Sequence, residues 1–481
     1  MEQRAQIPVP PPCANPIPSY WHNPKSPLAK TIEPETDNPS HIHDYSIIGS
    51  GISGTMIAYN LLLTNPSLRI LMLEARETCS GATGRNGGHT KAASYRNYLK
   101  NKEELGREEA LKIARLEWEN IKSTHALAKE LGIECESQMC NTVDIMYDQE
   151  TFEQGKMAIE ELRRDAREDE RDEGGMAWYV VYESTQENRR KFHVASRNSN
   201  PEVNEEEDVA GIFEYSAGRI HAYRFTTSIL SLCVQKGLVL ATQTPVHSIQ
   251  PTFNHLWSIH TQFSTLTSKS IILATNAYTP YILPTFQSSI VPLRGQIVAH
   301  RPGPSSSLPC PLPTTYSFIY RQGYEYMIPR PVPASMHQQG QDLIIGGGLG
   351  RLPSAEATEY GTTNDAVVNP SISTYLRASL PGYFGPEVLG GGHVQADWSG
   401  ILAATSDGRP FVGGVPEMDG VWVAAGFNGH GMVLCLKSAE ALVRKMVGDG
   451  WPGWFPVSFE VSEQRLGRKF GGRVDMAVSS D

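Results

Sequence analysis

Between Ile48 and Thr55 the chain reads Gly49-Ser50-Gly51-Ile52-Ser53-Gly54, a G-x-G-x-x-G turn. The run Tyr45 to Ile48 precedes it with strand character, and Thr55 to Leu62 follows as a helix. A second apolar run, Arg69 to Leu73, ends at Glu74 and Ala75, with Glu74 twenty residues beyond Gly54. Strand, turn, helix, strand and acid in this register predict a β-α-β unit that binds a dinucleotide. Gly49 permits the tight turn, Gly51 lets a pyrophosphate approach the backbone, and Gly54 lets helix and strand pack closely. The helix opening at Ile52 and Ser53 offers N–H groups and positive dipole to phosphates. Glu74 is placed to accept hydrogen bonds from the adenosine ribose. A carboxylate there disfavours a 2′-phosphate, so the ligand is FAD or NAD rather than NADP.

A chain of 481 residues is too long for one core, so two or three structural units are expected. The net charge of −10 argues against nucleic acid and against an anionic membrane surface as partners. No apolar run reaches membrane-spanning length, and Met1-Glu2-Gln3-Arg4 leads into a proline-rich stretch, not a signal-peptide core. The terminal Ser479-Ser480-Asp481 is not a peroxisomal tripeptide, so a cytoplasmic protein is expected. Seven scattered cysteines without a C-x-x-C pair point to neither a disulfide framework nor zinc. His41-Ile42-His43 reads as solvated residues before a buried strand, and no metal is expected.

Residues 1–40 read as a proline-rich arm whose Tyr20 and Trp21 dock it on the body. Residues 41–100 form the first part of a nucleotide-binding domain. Residues 101–210 hold a helical segment and a charged insert that falls partly in a substrate domain. Leu111, Ile113, Leu116, Trp118, Ile121, Leu127 and Leu131 predict one long helix over 102–131. The charged stretches 160–173 and 198–208 read as solvated and carry no assigned role. Residues 211–292 return to the nucleotide domain, with a helix over 226–235 and strands near 238–240, 246–249, 257–260 and 270–274. Their ends at Val246 and at Ala274-Thr275-Asn276 are expected to border the cofactor. Residues 293–395 read as an antiparallel sheet with strands near 325–328 and 342–345; 396–447 complete the nucleotide domain and 448–481 form a tail. The fold class is therefore α/β combined with α+β: a discontinuous Rossmann-like domain and a second domain on a mainly antiparallel sheet.

Far from the first turn, the strand Val421 to Ala425 runs through Gly426-Phe427-Asn428-Gly429-His430-Gly431 into a helix beginning near Met432. This string resembles the Gly-Phe-Ser-Gly-His-Gly turn of amine-oxidising flavoenzymes related to D-amino-acid oxidase, a group that includes glycine oxidase and sarcosine oxidase. Three further segments are similar to that family's patterns. Ser80-Gly81-Ala82-Thr83-Gly84-Arg85-Asn86-Gly87-Gly88 looks most like the gamma-glutamylputrescine oxidoreductase branch. The others are Val291-Pro292-Leu293-Arg294-Gly295-Gln296, and Trp398-Ser399-Gly400 followed by Asp407-Gly408-Arg409-Pro410. The resemblance spans about 44 to 447 and implies FAD, extended in the nucleotide domain with substrate held against the antiparallel sheet.

It further implies oxidation of the C–N bond of a small amine or amino acid by hydride transfer to flavin, giving an imine and, with oxygen as acceptor, hydrogen peroxide. The alternatives are a flavin dehydrogenase using another acceptor, or a catalytically silent FAD-binding protein. By the same resemblance Ala82, Thr83, Arg85, Asn86, Gly87, Gly88 and His89 pass near the isoalloxazine or ribityl chain. Gly426, Asn428, Gly429, His430, Gly431 and Met432 set a helix N-terminus at the flavin's pyrimidine edge, where its dipole would stabilise reduced flavin. His430 either adds a charge or hydrogen bond there or only packs. Arg85 either acts at the flavin or holds its loop by a salt bridge; Tyr326 completes the catalytic candidates. Some relatives attach flavin through a cysteine just before the segment matching Asp407-Gly408-Arg409-Pro410, and this chain has none, so attachment by that route is not expected, and His89 is the alternative attachment point. Where sarcosine oxidase carries a lysine that helps reduced flavin meet oxygen, this chain has Ile344 or a neighbour. Arg294, Arg321 and Arg330 are candidates to hold a substrate carboxylate, or else structural. Tyr316, Tyr320, Tyr324 and Tyr326 either line an amine cage or pack the core. Oligomeric state stays open.

Overall fold

A computed structural model describes residues 1–31, 42–331, 341–351 and 358–473. His41 of the His-x-His pair lies outside them. One sheet is ordered Phe411–Gly414, Val421–Ala425, Thr265–Leu273, Ile42–Ile48, Ile70–Leu73, Val239–Ala241. The last five of these run parallel, and Phe411–Gly414 is an antiparallel edge. Alternation along the central strands feeds two cores, as a parallel sheet covered on both faces requires. Ile47, Ile70 and Met72 meet helices Ile52–Thr64, Ala222–Gln235 and Gly431–Met446 on one face. Ile48, Leu71 and Leu73 meet Ile249, Trp257 and Phe286 on the other. Each such fully buried side chain is worth about 1.5–3 kcal/mol of transfer energy.

The second sheet is ordered His393–Thr405, Ile290–Arg301, Leu343–Gly346, Gly323–Pro329, Thr315–Tyr320, Gln138–Met146, Gly211–Arg219, His89–Thr90. All its pairs are antiparallel except Thr315–Tyr320 with Gln138–Met146. Helix Pro370–Phe384 covers its outer face, with Tyr383 stacked on Phe318 at 3.8 Å between ring centres. The two sheets share a ribbon: Ile290 and Ile401 lie in a core of the nucleotide layer, whereas Val298 lies in the second unit's.

Four expectations need correction. The helix over 102–131 is two helices, Tyr95–Leu105 and Arg107–Glu130, because Gly106 at φ +85° turns the chain between them. The helix placed at 226–235 begins at Ala222. Strands Gly211–Arg219 and His393–Thr405, counted with the nucleotide domain, pair in the second sheet. The charged stretches are not merely solvated. Glu170 is 7% exposed and bound by Arg115, and Glu207, also 7% exposed, pairs with Arg351. Asn200 is buried and donates to Tyr375 O at 3.1 Å. These groups carry their partners with them, which is why a polar composition is compatible with burial.

The arm does dock. Trp21 is 4% exposed, and Tyr20 stacks on Trp398 at 5.9 Å.

Candidate functional site

The Gly49–Gly54 turn has no room for side chains. A Cβ on Gly49, at φ +108°, would lie 2.6 Å from Ala274 O, and one on Gly54 would lie 2.0 Å from Gly49 O. The helix therefore starts flush against the sheet. Its Ile52 N–H donates to Thr83 Oγ1 at 3.1 Å, while among the described residues the N–H groups of Ser53 and Gly54 have no partner. Glu74 is held in place from three sides: Oε2 accepts Ser50 N–H at 3.1 Å and Ser50 Oγ–H at 2.6 Å, and Oε1 accepts Arg76 N–H at 2.9 Å.

The second turn is held differently. Asn276 Oδ1 accepts the N–H groups of Gly426 and Phe427 at 3.0 and 3.2 Å. Asn428, at φ +51°, accepts Thr405 N–H at 2.8 Å and donates to Gly426 O at 2.7 Å. Helix Gly431–Met446 follows, and Ser53 Oγ–H bonds Cys435 Sγ at 3.1 Å, tying the two helix N-termini together. His430 Nδ1 lies 3.0 Å from Asn428 O, and since a carbonyl only accepts, Nδ1 carries the proton.

Both turns open on one cavity of about 310 Å³, within the ~300–1,000 Å³ of a small-ligand cleft. Every residue proposed from the sequence as a cofactor or catalytic residue lines it except Gly54, Gly88, Gly426 and Asn428. Those four shape it from behind; Gly88, at φ +75°, lies so close to Ile220 O that a Cβ would sit 2.4 Å away. An elongated cavity with a helix N-terminus at each turn, an anchored acid, and glycines where a Cβ would clash fits FAD. Gly49, Gly51, Ser53 and Glu74 would hold its adenosine and pyrophosphate half, and Gly429 to Met432 its flavin half.

The side chains near the flavin end divide sharply. Arg85 is 2% exposed, and its guanidinium donates to Ser80 O, Ser399 O and Ile17 O, each at 2.8 Å, with Asp365 3.6 Å away. Its side chain fastens the loop, which corrects the catalytic expectation. His89 is likewise engaged, Nε2 with Thr315 Oγ1 at 2.8 Å, and burial holds its pKa well below the usual value. Tyr326 does face the cavity. Its ring fills a slot whose walls are Gly87 and Gly346, where a Cβ would come within 2.6 Å. Tyr324, two residues earlier, faces the same way. Tyr316 and Tyr320 instead pack in the core behind the sheet.

None of the three proposed carboxylate-binding arginines reaches the cavity. Arg294 pairs with Glu359, Arg321 with Asp148 and Glu150, and Arg330 with Glu136. Five cations line it, Arg76, Arg85, Lys91, Arg96 and Arg473, and of these only Arg85 was foreseen; Lys91 and Arg96 form a cluster. Both bind Asp144, which is fully buried and also accepts from the Tyr95 and Tyr215 hydroxyls at 2.7 and 2.9 Å. Lys91 donates to Ser317 as well, at 2.6 Å, and Arg96 lies over the Tyr324 ring at 4.7 Å. Burial pulls Lys91 down to about 8, against the attraction of Asp144. Burial raises Asp144, but Arg96 and Lys91 outweigh it and keep the carboxylate ionised. Two cations against one anion leave the substrate end of the cavity net positive. The available signal was Asp144 itself, an acid inside the apolar strand Val143 to Met146.

Behind His430 and Phe427 lies a smaller cavity bordered by Glu117, which accepts from Ser94 Oγ and which burial pushes up to about 7. Among the described residues no His, Cys, Asp or Glu cluster is arranged to hold a metal, and no helix is long and apolar enough to cross a membrane.

Similar proteins agree with this architecture. Glycine oxidase from Pseudomonas aeruginosa is 24% identical over 218 residues, 44% of this chain and 50% of that one. Glycine oxidase from Pseudomonas putida is 24% identical over 192 residues, 40% of this chain and 45% of its own. The chain thus matches about half the length of these relatives. The crystal structure of glycine oxidase from Geobacillus kaustophilus superposes with a TM-score of 0.66 at 20% identity, over 88% of this chain and 99% of that one. L-amino acid deaminase from Proteus vulgaris gives 0.64 at 15%, over 91% and 100%. The profile of the family described as DAO, FAD dependent oxidoreductase, matches residues 44–445, a span that begins just before the first glycine turn and ends in the helix after the second. With both turns and the cavity between them inside that span, this chain belongs to the FAD-dependent oxidoreductases of the DAO family.

Proposed function

We propose that the protein oxidises the C–N bond of a small amine or amino acid and uses oxygen as its acceptor, releasing hydrogen peroxide. The observation that carries this reading is the net-positive Lys91–Asp144–Arg96 cluster facing the flavin end of the cavity beside Tyr324 and Tyr326. FAD supplies acceptance of the hydride leaving the carbon next to nitrogen, and water then hydrolyses the imine. The chain's residues supply position and field. Arg96, a planar donor fork already flattened on Tyr324, and the Lys91 ammonium attract an anionic group on the substrate. The Tyr324 and Tyr326 rings form an apolar wall that keeps water from the reacting carbon and favours the neutral amine. The helix N-terminus at Gly431 lends positive potential where reduced flavin gathers negative charge, and His430 stands at its first turn. The Ser80–Gly88 string favours the gamma-glutamylputrescine branch among family members.

An anaerobic panel of amines and amino acids, read by loss of the flavin's visible absorbance, tests this. Bleaching by amines that carry a carboxylate, followed by peroxide formation when air is admitted, is the expected outcome. Bleaching without peroxide would identify a dehydrogenase, and no bleaching by any amine would identify a silent FAD-binding protein.

A further inference from the structure

The loop 84–87 lies between the cavity and the docked arm, and its backbone is oriented from the arm's side. Three consecutive carbonyls are captured there. Ser19 Oγ–H donates to Gly84 O at 2.8 Å, Trp398 Nε1–H to Arg85 O at 2.9 Å, and Trp21 Nε1–H to Asn86 O at 2.5 Å. The Arg85 side chain adds a fourth tie, to Ile17 O of the arm. Neither Trp21 nor Trp398 borders the cavity, whereas Arg85, Asn86 and Gly87 do. In a trans peptide the N–H of the next residue points opposite to the carbonyl. Drawing Arg85 O and Asn86 O toward the indoles therefore turns the N–H groups of Asn86 and Gly87 the other way, toward the cavity. Among the described residues those two N–H groups have no partner, although Arg85 N–H is bonded to Ala82 O and Gly88 N–H to Asn86 Oδ1.

We propose that the N-terminal arm is part of the cofactor site: Trp21 is a positioning residue that aims the Gly87 N–H group at the bound flavin, beside the Asn86 N–H that Trp398 aims. The arm lies outside the residues 44–445 that match the family, so this device is added to the family's fold. Two unpartnered donors at the cavity wall are a ready site for a ligand's acceptors, and a flavin with its row of ring acceptors fits them. Trp21 acts at a distance. Without its indole the Asn86–Gly87 peptide is free to rotate, and the donor reaches the flavin in only a fraction of the molecules. The inference rests on the cofactor and not on the substrate, so a failure to oxidise amines leaves it intact.

The test compares Trp21→Phe, which keeps a ring but removes the donor, with Tyr20→Phe, which loosens the same arm without touching the loop carbonyls. FAD release from the holoenzyme, followed by the rise in free-flavin fluorescence, is expected to be about tenfold faster in Trp21→Phe, the equivalent of one lost well-placed hydrogen bond. The fine structure of its visible flavin band should change as well. Tyr20→Phe should release FAD within about twofold of the parent. Equal release from Trp21→Phe and the parent, with an unchanged band, would overturn the proposal, as would equal acceleration in both variants. Should Trp21→Phe fail to fold, Ser19→Ala loosens Trp21 instead, because Ser19 Oγ accepts the Trp21 N–H at 3.3 Å. A roughly threefold faster release then supports the proposal and an unchanged rate overturns it.

Discussion

The two glycine turns do similar work by different means. The turn at Gly49–Gly54 is held by lack of space: backbone meets backbone, and a Cβ at Gly54 would be 2.0 Å from Gly49 O. The turn at Gly426–Gly431 is tight at Gly426, where a Cβ would lie 2.7 Å from Thr405 Cγ2, but has more room at its far end. A Cβ at Gly429 would meet the far end of the Arg473 side chain, at 3.1 Å, and one at Gly431 would meet Cys435 Sγ at 3.3 Å and Phe427 Cβ at 3.9 Å. What fixes it is the amide of Asn276, 150 positions away, together with that of Asn428. The first turn is thus a local steric object, and the second depends on hydrogen bonds that the rest of the fold must deliver. A steric turn should fail outright when filled, and a hydrogen-bonded one should weaken by degrees.

The largest effect should come from Gly54→Val. With no space for even one carbon, the helix must leave the sheet, and we expect loss of well over 3 kcal/mol and no recoverable FAD. Thermal unfolding and flavin content would measure it; a stable yellow Gly54→Val protein would erase the distinction between the turns. Asn276→Ala should be milder. It leaves the Gly426 and Phe427 N–H groups without their acceptor, a cost of about 2 kcal/mol, so the protein should fold and hold FAD roughly thirtyfold more weakly. An FAD titration of the apoprotein would show it, and an unchanged affinity would mean that the second turn is as self-sufficient as the first.

The smallest effect concerns the substrate end, which neither turn controls. The cation at Lys91, surrounded by Asp144, Arg96, His89, Tyr95 and Tyr215, is protonated below about pH 8 and loses its charge above it. Attraction for a carboxylate-bearing substrate is therefore full below that pH and declines as pH rises through it. KM for such a substrate should increase about fivefold between pH 7 and 9 in the parent protein and stay flat in Lys91→Met, while FAD affinity changes in neither. A parallel pH response in the variant would assign the titration to another group.

The contrast between the turns also explains what could be read in advance. Gly49, Gly54 and Glu74 act through their immediate neighbours, so spacing alone located them. Asn276 appeared among the cofactor residues, yet its amide serves the far turn, which no local pattern reveals. Arg85 looked catalytic because a cation beside a glycine loop does so in sequence. Only the fold supplies Ser399 and Ile17, whose carbonyls occupy it. Lys91 and Arg96 escaped notice because they meet Asp144 from 53 and 48 positions away. The second sheet was recognised between 293 and 395, but its members Gln138–Met146 and Gly211–Arg219 were hidden because their partners are distant in the chain.

The ribbon formed by Ile290–Arg301 and His393–Thr405 crosses from one layer to the other with its ladder interrupted only near Ala299 and His300. A continuous ladder resists bending, since a hinge within it would have to break several backbone hydrogen bonds at once. The two halves of the molecule are therefore splinted, and the cavity does not open like a jaw. Access for small molecules would then be set by individual side chains and loops lining it, such as Tyr324, Gly347 and Leu349. Turnover in such an enzyme would be paced by local gates, with the nucleotide layer and the second sheet moving as one body.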